Sequence, residues 1–286
     1  MCVVSSLKRF NEHCLKIDRK DFFYMESGEG DPVVMLHGMF GKKEHWSMMG
    51  SIMADRYHVL APDLPAHGKS LAFDGEHKQF TGMVDVLKKW LDAIHVDRVH
   101  IVGNSLGATL ATIFGAVFGE HTATVGVVGA PAVHAPKLSP VMEAMLRGEN
   151  YLIPKTMDEF YRKMDLLFYR APRIPPEKLR KIGEREIALW RENTALWNEM
   201  VNVTENLPGR DFYIIENYLD KVQVPAICIW GKSDQCYDVS GADLLAQRMP
   251  NCKLVILPEI GHAVMQENFE QVEKEYRSFI ERHPIR

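Results

Sequence analysis

Cysteine is scarce in this chain of 286 residues, and its cysteines do not form recognisable pairs. The thiols are odd in number and none belongs to a C-x-x-C motif; they are Cys2, Cys14, Cys228, Cys236 and Cys252. A disulfide framework and a cysteine-rich zinc site are therefore not expected. This usage favours a reducing compartment, and we expect a cytoplasmic protein.

An excess of basic residues is also missing. The chain has 34 Lys and Arg against 38 Asp and Glu, a formal charge of −4, and no dense basic patch. This balance argues against a nucleic-acid-binding protein. The composition is 46% apolar, which is enough for a sizeable core and argues against disorder.

Metal-binding and nucleotide-binding motifs are absent from the sequence as well. There is no H-E-x-x-H motif and no close group of histidines and carboxylates with metal-ligand spacing. There is also no G-x-G-x-x-G or Walker loop, so neither a dinucleotide nor ATP is implied. We expect the protein to need no metal and no cofactor.

Hydrophobic segments of membrane-spanning length are nearly absent. The first ten residues make a poor signal peptide, because their apolar run is short and a basic pair follows it. Residues 101–119 carry no charge but contain four glycines, an asparagine, a serine and two threonines. We interpret them as a buried strand, a turn and a buried helix rather than a membrane span. The sequence predicts a soluble protein without a transmembrane segment.

What the sequence does contain is an alternation of strand and helix patterns. Residues 14–18 and 22–26 suggest an opening β-hairpin. Continuous apolar runs, typical of parallel strands covered on both faces, alternate with helical patterns. The runs are at residues 33–36, 58–61, 99–102 and 125–128, and the helical patterns at 46–54, 76–94 and 106–118. This order predicts an α/β fold with a mostly parallel, doubly wound sheet.

The pattern changes after residue 130 and returns near residue 223. Residues 131–222 contain no convincing buried strand, and prolines interrupt their helical periodicity. Within them, Thr156 and Glu159 form a capping box that predicts a helix to about Tyr169. Strands are predicted again at 226–230 and 253–257, with helices near 239–248 and 268–282. We therefore predict a core domain of residues 1–130 and 223–286, with residues 131–222 inserted after the sixth strand as a helical lid.

A G-x-S-x-G motif lies between a predicted strand and helix, with Ser105 at its centre. In that context the motif predicts a strained turn that exposes the Ser105 hydroxyl at the carboxyl edge of the sheet. A nucleophilic serine needs a base and a residue that orients the base. Asp234 and His262 each follow a later predicted strand, in the order that α/β hydrolases use. Asp238 is a rival acid, and we prefer Asp234 because it lies nearer the strand end.

The loop after the strand at residues 33–36 is the candidate oxyanion loop. The backbone N–H groups of Met39 and Leu106 are the predicted oxyanion donors. Residues 63–70 are either catalytic or, as we prefer, a hydrogen-bonded turn that braces this loop.

In the predicted lid, Met157, Phe160 and Met164 share one helical face, which is more often core than pocket. An apolar lid underside would suit an acyl chain. Together with Phe40 and Val264, these three are the substrate-binding candidates.

The chain resembles the α/β-hydrolase-fold serine lipases and esterases over residues 12–282. Among them it is most similar to the monoacylglycerol lipases of the group named α/β-hydrolase domain-containing protein six, with their bacterial relatives. The segments that carry this resemblance are residues 229–235 (IWGKSDQ), 238–246 (DVSGADLLA), 251–252 and 261–262. Residues 152–159 (LIPKTMDE) look like the start of the lid in that group. Two departures are the absence of an N-terminal membrane helix, found in animal members, and Leu106-Gly107-Ala108 where Met-Gly-Gly is common.

The resemblance implies Ser105, Asp234 and His262 as a catalytic triad and Met39 and Leu106 as oxyanion donors. It also implies glycerolipid monoesters as substrates. We predict a serine carboxylesterase or lipase for medium to long acyl esters, monoacylglycerol included, whose lid touches a membrane surface transiently at most. One alternative is carbon–carbon bond hydrolysis of ring-cleavage products, although the loop Met39-Phe40-Gly41-Lys42 lacks the usual Gly-Pro-Gly type. Another is a non-catalytic receptor on this fold. The sequence leaves the oligomeric state open.

Overall fold

A single eight-stranded sheet organises the chain, in a computed structural model that describes residues 8–129, 131–203 and 209–285. The strands are β1 (Asn11–Ile17), β2 (Lys20–Ser27), β3 (Asp31–Leu36), β4 (Tyr57–Pro62), β5 (Val99–Asn104), β6 (Thr122–Val128), β7 (Ala226–Gly231) and β8 (Cys252–Leu257). Their order is β1-β2-β4-β3-β5-β6-β7-β8. β2 pairs antiparallel with β1 and with β4, and the remaining pairs are parallel. The predicted doubly wound α/β fold is confirmed.

The burial of each strand follows its apolar pattern. Every residue of β5, β6 and β7 is buried, as expected for central parallel strands with helices on both faces. β1 has exposed residues along most of its length, because it is the edge of the sheet. The hairpin between β1 and β2 turns through Asp18 and Arg19, both with positive φ angles. The predicted opening hairpin is therefore present.

The described parts of the chain form ten α-helices, which flank the sheet or lie over its carboxyl edge. They are α1 (Ser47–Met53), α2 (Phe80–Ala93), α3 (Leu106–Val117), α4 (Pro140–Met145), α5 (Met157–Leu167), α6 (Pro176–Ala188), α7 (Trp190–Val201), α8 (Ala242–Arg248), α9 (Val264–Glu267) and α10 (Phe269–Ile280). The predicted helix from residue 76 begins later, because Gln79 is extended and a separate 3₁₀ turn, Gly75–Lys78, precedes α2. In the described parts of the chain, no helix has the length and apolar character needed to cross a bilayer.

The described residues between β6 and β7 form helices joined by turns and irregular stretches. It carries α4 to α7 and the 3₁₀ turns Arg210–Asn217 and Leu219–Lys221, and its described residues include no strand. The Thr156 hydroxyl accepts from Glu159 N–H at 3.2 Å and begins α5 as predicted. The Glu159 carboxylate reaches Lys155 N–H at 2.6 Å, one residue before the expected partner in a capping box. The Leu167 carbonyl accepts from His262 and Ala263 N–H groups, so α5 ends two residues earlier than predicted.

Candidate active site

Ser105 occupies a strained turn between β5 and α3. Its φ of 53° and ψ of −112° are unusual for a residue with a side chain. Glycines make this turn possible: a Cβ on Gly103 would lie 2.0 Å from the Gly107 carbonyl carbon, and one on Gly107 would lie 2.2 Å from the Leu36 carbonyl oxygen. The G-x-S-x-G pattern is thus required by close backbone approaches, and it places Ser105 at the carboxyl edge of the sheet.

His262 and Asp234 form a buried hydrogen-bonded pair. His262 Nδ1 donates to Asp234 Oδ2 at 2.9 Å, and both residues are buried. The other carboxylate oxygen, Oδ1, accepts from the N–H groups of Cys236 at 2.8 Å and Tyr237 at 3.0 Å. These bonds fix the carboxylate, which in turn fixes the imidazole with its proton on Nδ1. The lone pair of His262 Nε2 is then available to accept a proton.

Asp238, the rival acid, has a different role in the structure. Its carboxylate accepts from Ser240 N–H at 3.0 Å and caps the 3₁₀ turn Val239–Gly241. Its second oxygen lies 3.7 Å from Lys137 Nζ. Of the two candidate carboxylates, Asp234 is the one that contacts His262.

The loop after β3 approaches the Ser105 turn closely. A Cβ on Gly38 would lie 3.0 Å from Asn104 Oδ1 and 3.3 Å from the Asn104 carbonyl oxygen, so glycine eases the close approach of this loop to the end of β5. The His37 ring donates from Nδ1 to Gly38 O at 2.8 Å and accepts at Nε2 from Leu64 N–H at 3.0 Å. Burial holds the pKa of His37 well below its usual value, so the ring is neutral and can accept that bond. Met39, the residue after Gly38, borders the same cavity as Ser105 and Leu106.

Residues 63–70 brace this loop through Asp63. The buried Asp63 carboxylate accepts from Lys43 N–H at 2.9 Å, from Lys43 Nζ at 2.8 Å and from Lys69 N–H at 3.0 Å. Burial by itself would lower the pKa of Lys43, but the hydrogen bonds that its ammonium donates to Asp63 and Glu12 raise the pKa above the usual value. Lys43 is therefore a cation bound inside the fold, and its ion pair ties the loop after β3 to the loop after β4.

Two cavities meet at Ser105. The larger, of about 610 Å³, lies between the loop after β3 and helices α5 and α6, and His262 also borders it. Its apolar wall includes Phe40, Leu152, Met164, Leu167, Leu179 and Ile182. The smaller, of about 40 Å³, is bordered by Phe80, Thr109, Trp197, Met200, Phe212 and Tyr237. Met39, Ser105 and Leu152 border both, so an ester at Ser105 would have space on two sides.

The structure separates the five substrate-binding candidates. Phe40 and Met164 border the larger cavity. Met157 and Phe160 instead pack against Gly183 of α6, and Phe160 is fully buried there. Val264 is fully buried in the core on the α1 and α10 side of the sheet. Met157, Phe160 and Val264 border neither of these two cavities, because the apolar face of α5 packs on α6 and α9 packs on the sheet.

Polar residues in the cavity wall were missed by the sequence analysis. Lys163 Nζ of α5 donates to Glu186 Oε2 of α6 at 2.7 Å, and His45 lies in the same wall. Burial lowers the pKa of His45, which favours its neutral form. Glu267 was also missed: its carboxylate accepts from Gly261 N–H at 2.7 Å and from Arg170 N–H at 3.0 Å, joining the His262 loop to the chain after α5. No local pattern marks the Lys163–Glu186 and Arg170–Glu267 contacts, because their partners lie 23 and 97 positions apart in sequence.

Several known proteins are similar to this chain in sequence or in fold. The profile described as the alpha/beta hydrolase family matches residues 33–275. Monoacylglycerol lipase ABHD6 of Homo sapiens is 26% identical over 270 residues, with 88% of this chain and 77% of that protein covered. Lipase 1 of Psychrobacter immobilis is 23% identical, with coverage of 90% and 79%. The crystal structure of a membrane phospholipase A, a bacterial virulence factor, is similar at a TM-score of 0.87 and 26% identity, over 95% of this chain and 86% of that one.

Proposed function

The chain belongs to the alpha/beta hydrolase family, and we propose that it is a serine hydrolase that cleaves carboxylic esters with Ser105 as nucleophile. His262 is the base and Asp234 the residue that orients it. The observation that carries this proposal is the buried His262–Asp234 hydrogen bond of 2.9 Å, in a cavity wall shared with the strained Ser105 turn. The names of the relatives, which are lipases, agree with it.

The proposed reaction proceeds through an acyl-enzyme. His262 Nε2 takes the Ser105 proton as the hydroxyl oxygen attacks the ester carbonyl carbon. The backbone N–H groups of Met39 and Leu106 stabilise the negative oxygen of the tetrahedral intermediate, and Leu106 is the first residue of α3. His262 then returns the proton to the leaving alcohol. In the second half, His262 activates a water molecule that releases the carboxylic acid.

The cavities favour a medium to long acyl ester with a polar alcohol part, such as a monoacylglycerol. A volume of about 610 Å³ with aliphatic walls accommodates an alkyl chain. The same wall carries the Lys163–Glu186 pair, which offers hydrogen-bond donors and acceptors to hydroxyl groups. Because the two charges compensate each other, the pair suits a neutral polyol better than an anionic group. Residues 131–222, which supply both side chains, are accordingly proposed to be a lid that selects the substrate.

The test compares the wild type with Ser105→Ala and with Ser278→Ala, a control at an exposed serine. Ser105→Ala should lower kcat on p-nitrophenyl esters by about four to six orders of magnitude and abolish fluorophosphonate labelling. Ser278→Ala should retain both. A monoacylglycerol should be hydrolysed faster than the methyl ester of the same acid.

Three results would contradict the proposal. Ester hydrolysis that survives in Ser105→Ala would exclude Ser105 as the nucleophile. An unlabelled wild type without ester turnover would favour a non-catalytic receptor. Faster turnover of a ring-cleavage product than of any ester would favour carbon–carbon bond hydrolysis.

A further inference from the structure

A third potential metal ligand lies beside the His262–Asp234 pair. The Sγ atom of Cys236 and the side-chain ligand atoms of Asp234 and His262 all lie within 4.8 Å of one another, and all three residues are buried. Cys236 follows β7 by five positions, on the loop that also carries Asp234. Among the described residues, its thiol has one long contact, of 3.9 Å, with the Leu166 carbonyl oxygen of α5. The thiol is therefore not committed to a strong hydrogen bond.

We propose that Asp234, Cys236 and His262 form a binding site for a zinc ion that inhibits the enzyme. A thiolate, an imidazole nitrogen and a carboxylate oxygen are the ligand types that zinc prefers, and three protein ligands leave a fourth position for water. A magnesium or calcium ion would instead require mostly oxygen ligands. The thiolate and the carboxylate carry two negative charges, so the divalent ion makes the buried site neutral overall.

The geometry requires only a local adjustment. Zinc bonds of about 2.0 to 2.3 Å in a tetrahedron place ligand atoms about 3.3 to 3.7 Å apart, with the longer distances involving sulfur. The His262 Nδ1 and Asp234 Oδ2 atoms, now 2.9 Å apart, would separate by a few tenths of an ångström. The Cys236 side chain would turn away from the Leu166 carbonyl toward the ion. Because the thiol is fully buried under the end of α5, binding should be slow and should require preincubation.

The expected inhibition follows from the displacement of two protons, one on the Cys236 thiol and one on His262 Nδ1. Zinc replaces the thiol proton of Cys236, which is released to solvent. It also takes the position of the proton on His262 Nδ1, and that proton moves to Nε2, so the imidazole stays neutral. Nε2 then carries a hydrogen and has no lone pair with which to accept the Ser105 proton. No oxidation or reduction takes place.

Direct metal binding is measured first, because it does not rest on the proposed esterase activity. Cobalt(II) is titrated into the full chain, into Cys236→Ala and into Cys14→Ala, a control that removes an exposed thiol. The wild type and Cys14→Ala should bind one ion with a thiolate-to-cobalt charge-transfer band in the near ultraviolet. Cys236→Ala should lack that band. Melting temperatures without metal establish that each variant is folded, and Cys236→Ser is the substitute if Cys236→Ala does not fold.

Inhibition is measured next, and this arm rests on the proposed function. Each variant is preincubated with zinc and compared with its own zinc-free rate on a p-nitrophenyl ester. The zinc concentration for half inhibition should rise by about tenfold or more in Cys236→Ala, since even an outer-shell partner is typically worth that much affinity. In the wild type and in Cys14→Ala, chelation by EDTA should restore activity.

Equal zinc sensitivity in Cys236→Ala and wild type would overturn the proposal, as would a wild type that binds cobalt without a thiolate band. An active wild type that zinc does not inhibit would overturn it as well. If the wild type hydrolyses no ester at all, the proposed function fails instead, and the cobalt titration still decides whether the site exists.

Discussion

Asp234 is held by two backbone N–H groups on one oxygen and by His262 on the other. A carboxylate fixed in this way can keep the imidazole proton on Nδ1. In the proposed reaction it would also stabilise the cation that forms when Ser105 loses its proton. Asp238 caps a 3₁₀ turn and has no such contact with His262. At the scale of single residues, therefore, two aspartates four positions apart make different contacts: Asp234 binds His262, and Asp238 caps a turn.

Asp234→Asn should lower kcat by about ten-thousandfold, because an amide can present its NH₂ to His262 and favour the wrong tautomer. Asp238→Asn is the matched control. It should change kcat by about threefold at most, since asparagine caps a helical turn as well as aspartate and the Asp238 carboxylate contacts Ser240 and Lys137 rather than His262. Steady-state rates on one p-nitrophenyl ester decide the matter. A larger loss in Asp238→Asn than in Asp234→Asn would reverse the assignment.

At the scale of secondary-structure elements, α5 has two apolar contacts with different consequences. Phe160 faces α6 and is fully buried against Gly183, whereas Met164 borders the larger cavity. One turn of helix separates a packing position from a cavity position, and Lys163 between them forms the ion pair with Glu186. The Leu167 carbonyl at the end of α5 also accepts hydrogen bonds from the His262 loop, so the helix joins the proposed lid to the proposed catalytic base.

Met164→Trp should shorten the preferred acyl chain, because the larger ring fills cavity volume that methylenes would occupy. Each buried methylene is worth about 0.8 kcal/mol, so in the wild type kcat/KM should rise with chain length until the cavity is full. The measurement is kcat/KM for acetyl to dodecanoyl esters. A wild type that prefers acetyl and declines steadily with length would contradict the assignment of an acyl-chain cavity.

Phe160→Trp is the control on the same helix. An oversized ring in a packed core typically costs about 1 to 3 kcal/mol, so this variant should melt earlier and keep the wild-type chain-length preference. The opposite pattern, with Phe160→Trp changing the preference and Met164→Trp only the melting temperature, would show that the two positions have been exchanged.

At the scale of the whole molecule, the sheet interior contains a histidine that the proposed reaction does not use. His100 of β5 is fully buried, and its Nδ1 lies 2.9 Å from the Thr124 hydroxyl of β6. Burial lowers the pKa of His100 to about 4. The unfolded chain, in contrast, protonates this histidine near pH 6.5. Between these two values the unfolded state binds a proton that the folded state rejects.

The free energy of unfolding should therefore fall as the pH decreases from about 6.5 to about 4, by up to about 1.4 kcal/mol per pH unit from His100 alone. Above pH 6.5 this contribution is constant. His100→Gln should reduce the slope, and His134→Gln, at a surface histidine, should leave it near the wild-type value. Urea unfolding at several pH values measures the slope. Equal slopes in wild type and His100→Gln would contradict the prediction.

Much of the fold, and part of the candidate site, could be predicted from local sequence. Continuous apolar runs predicted the parallel strands, and Thr156 with Glu159 predicted the start of α5, because both patterns report interactions within a few residues. The glycines around Ser105 predicted the turn for the same reason: the backbone itself must pass closely there. The order of Ser105, Asp234 and His262 followed from strand ends, which all meet at one edge of the sheet.

Only the tertiary structure decided which apolar residue of α5 faces the cavity and which faces α6. Helical periodicity shows that Phe160 and Met164 share a face, but it does not say what covers each part of that face. The Lys163–Glu186 pair spans 23 positions and the His262–Asp234 pair 28, so no local pattern could connect them. The sequence analysis assigned Cys236 no role, because only the folded loop after β7 brings its thiol close to both Asp234 and His262. Local sequence determines where a residue can be buried, whereas the packing of distant elements determines what it meets there.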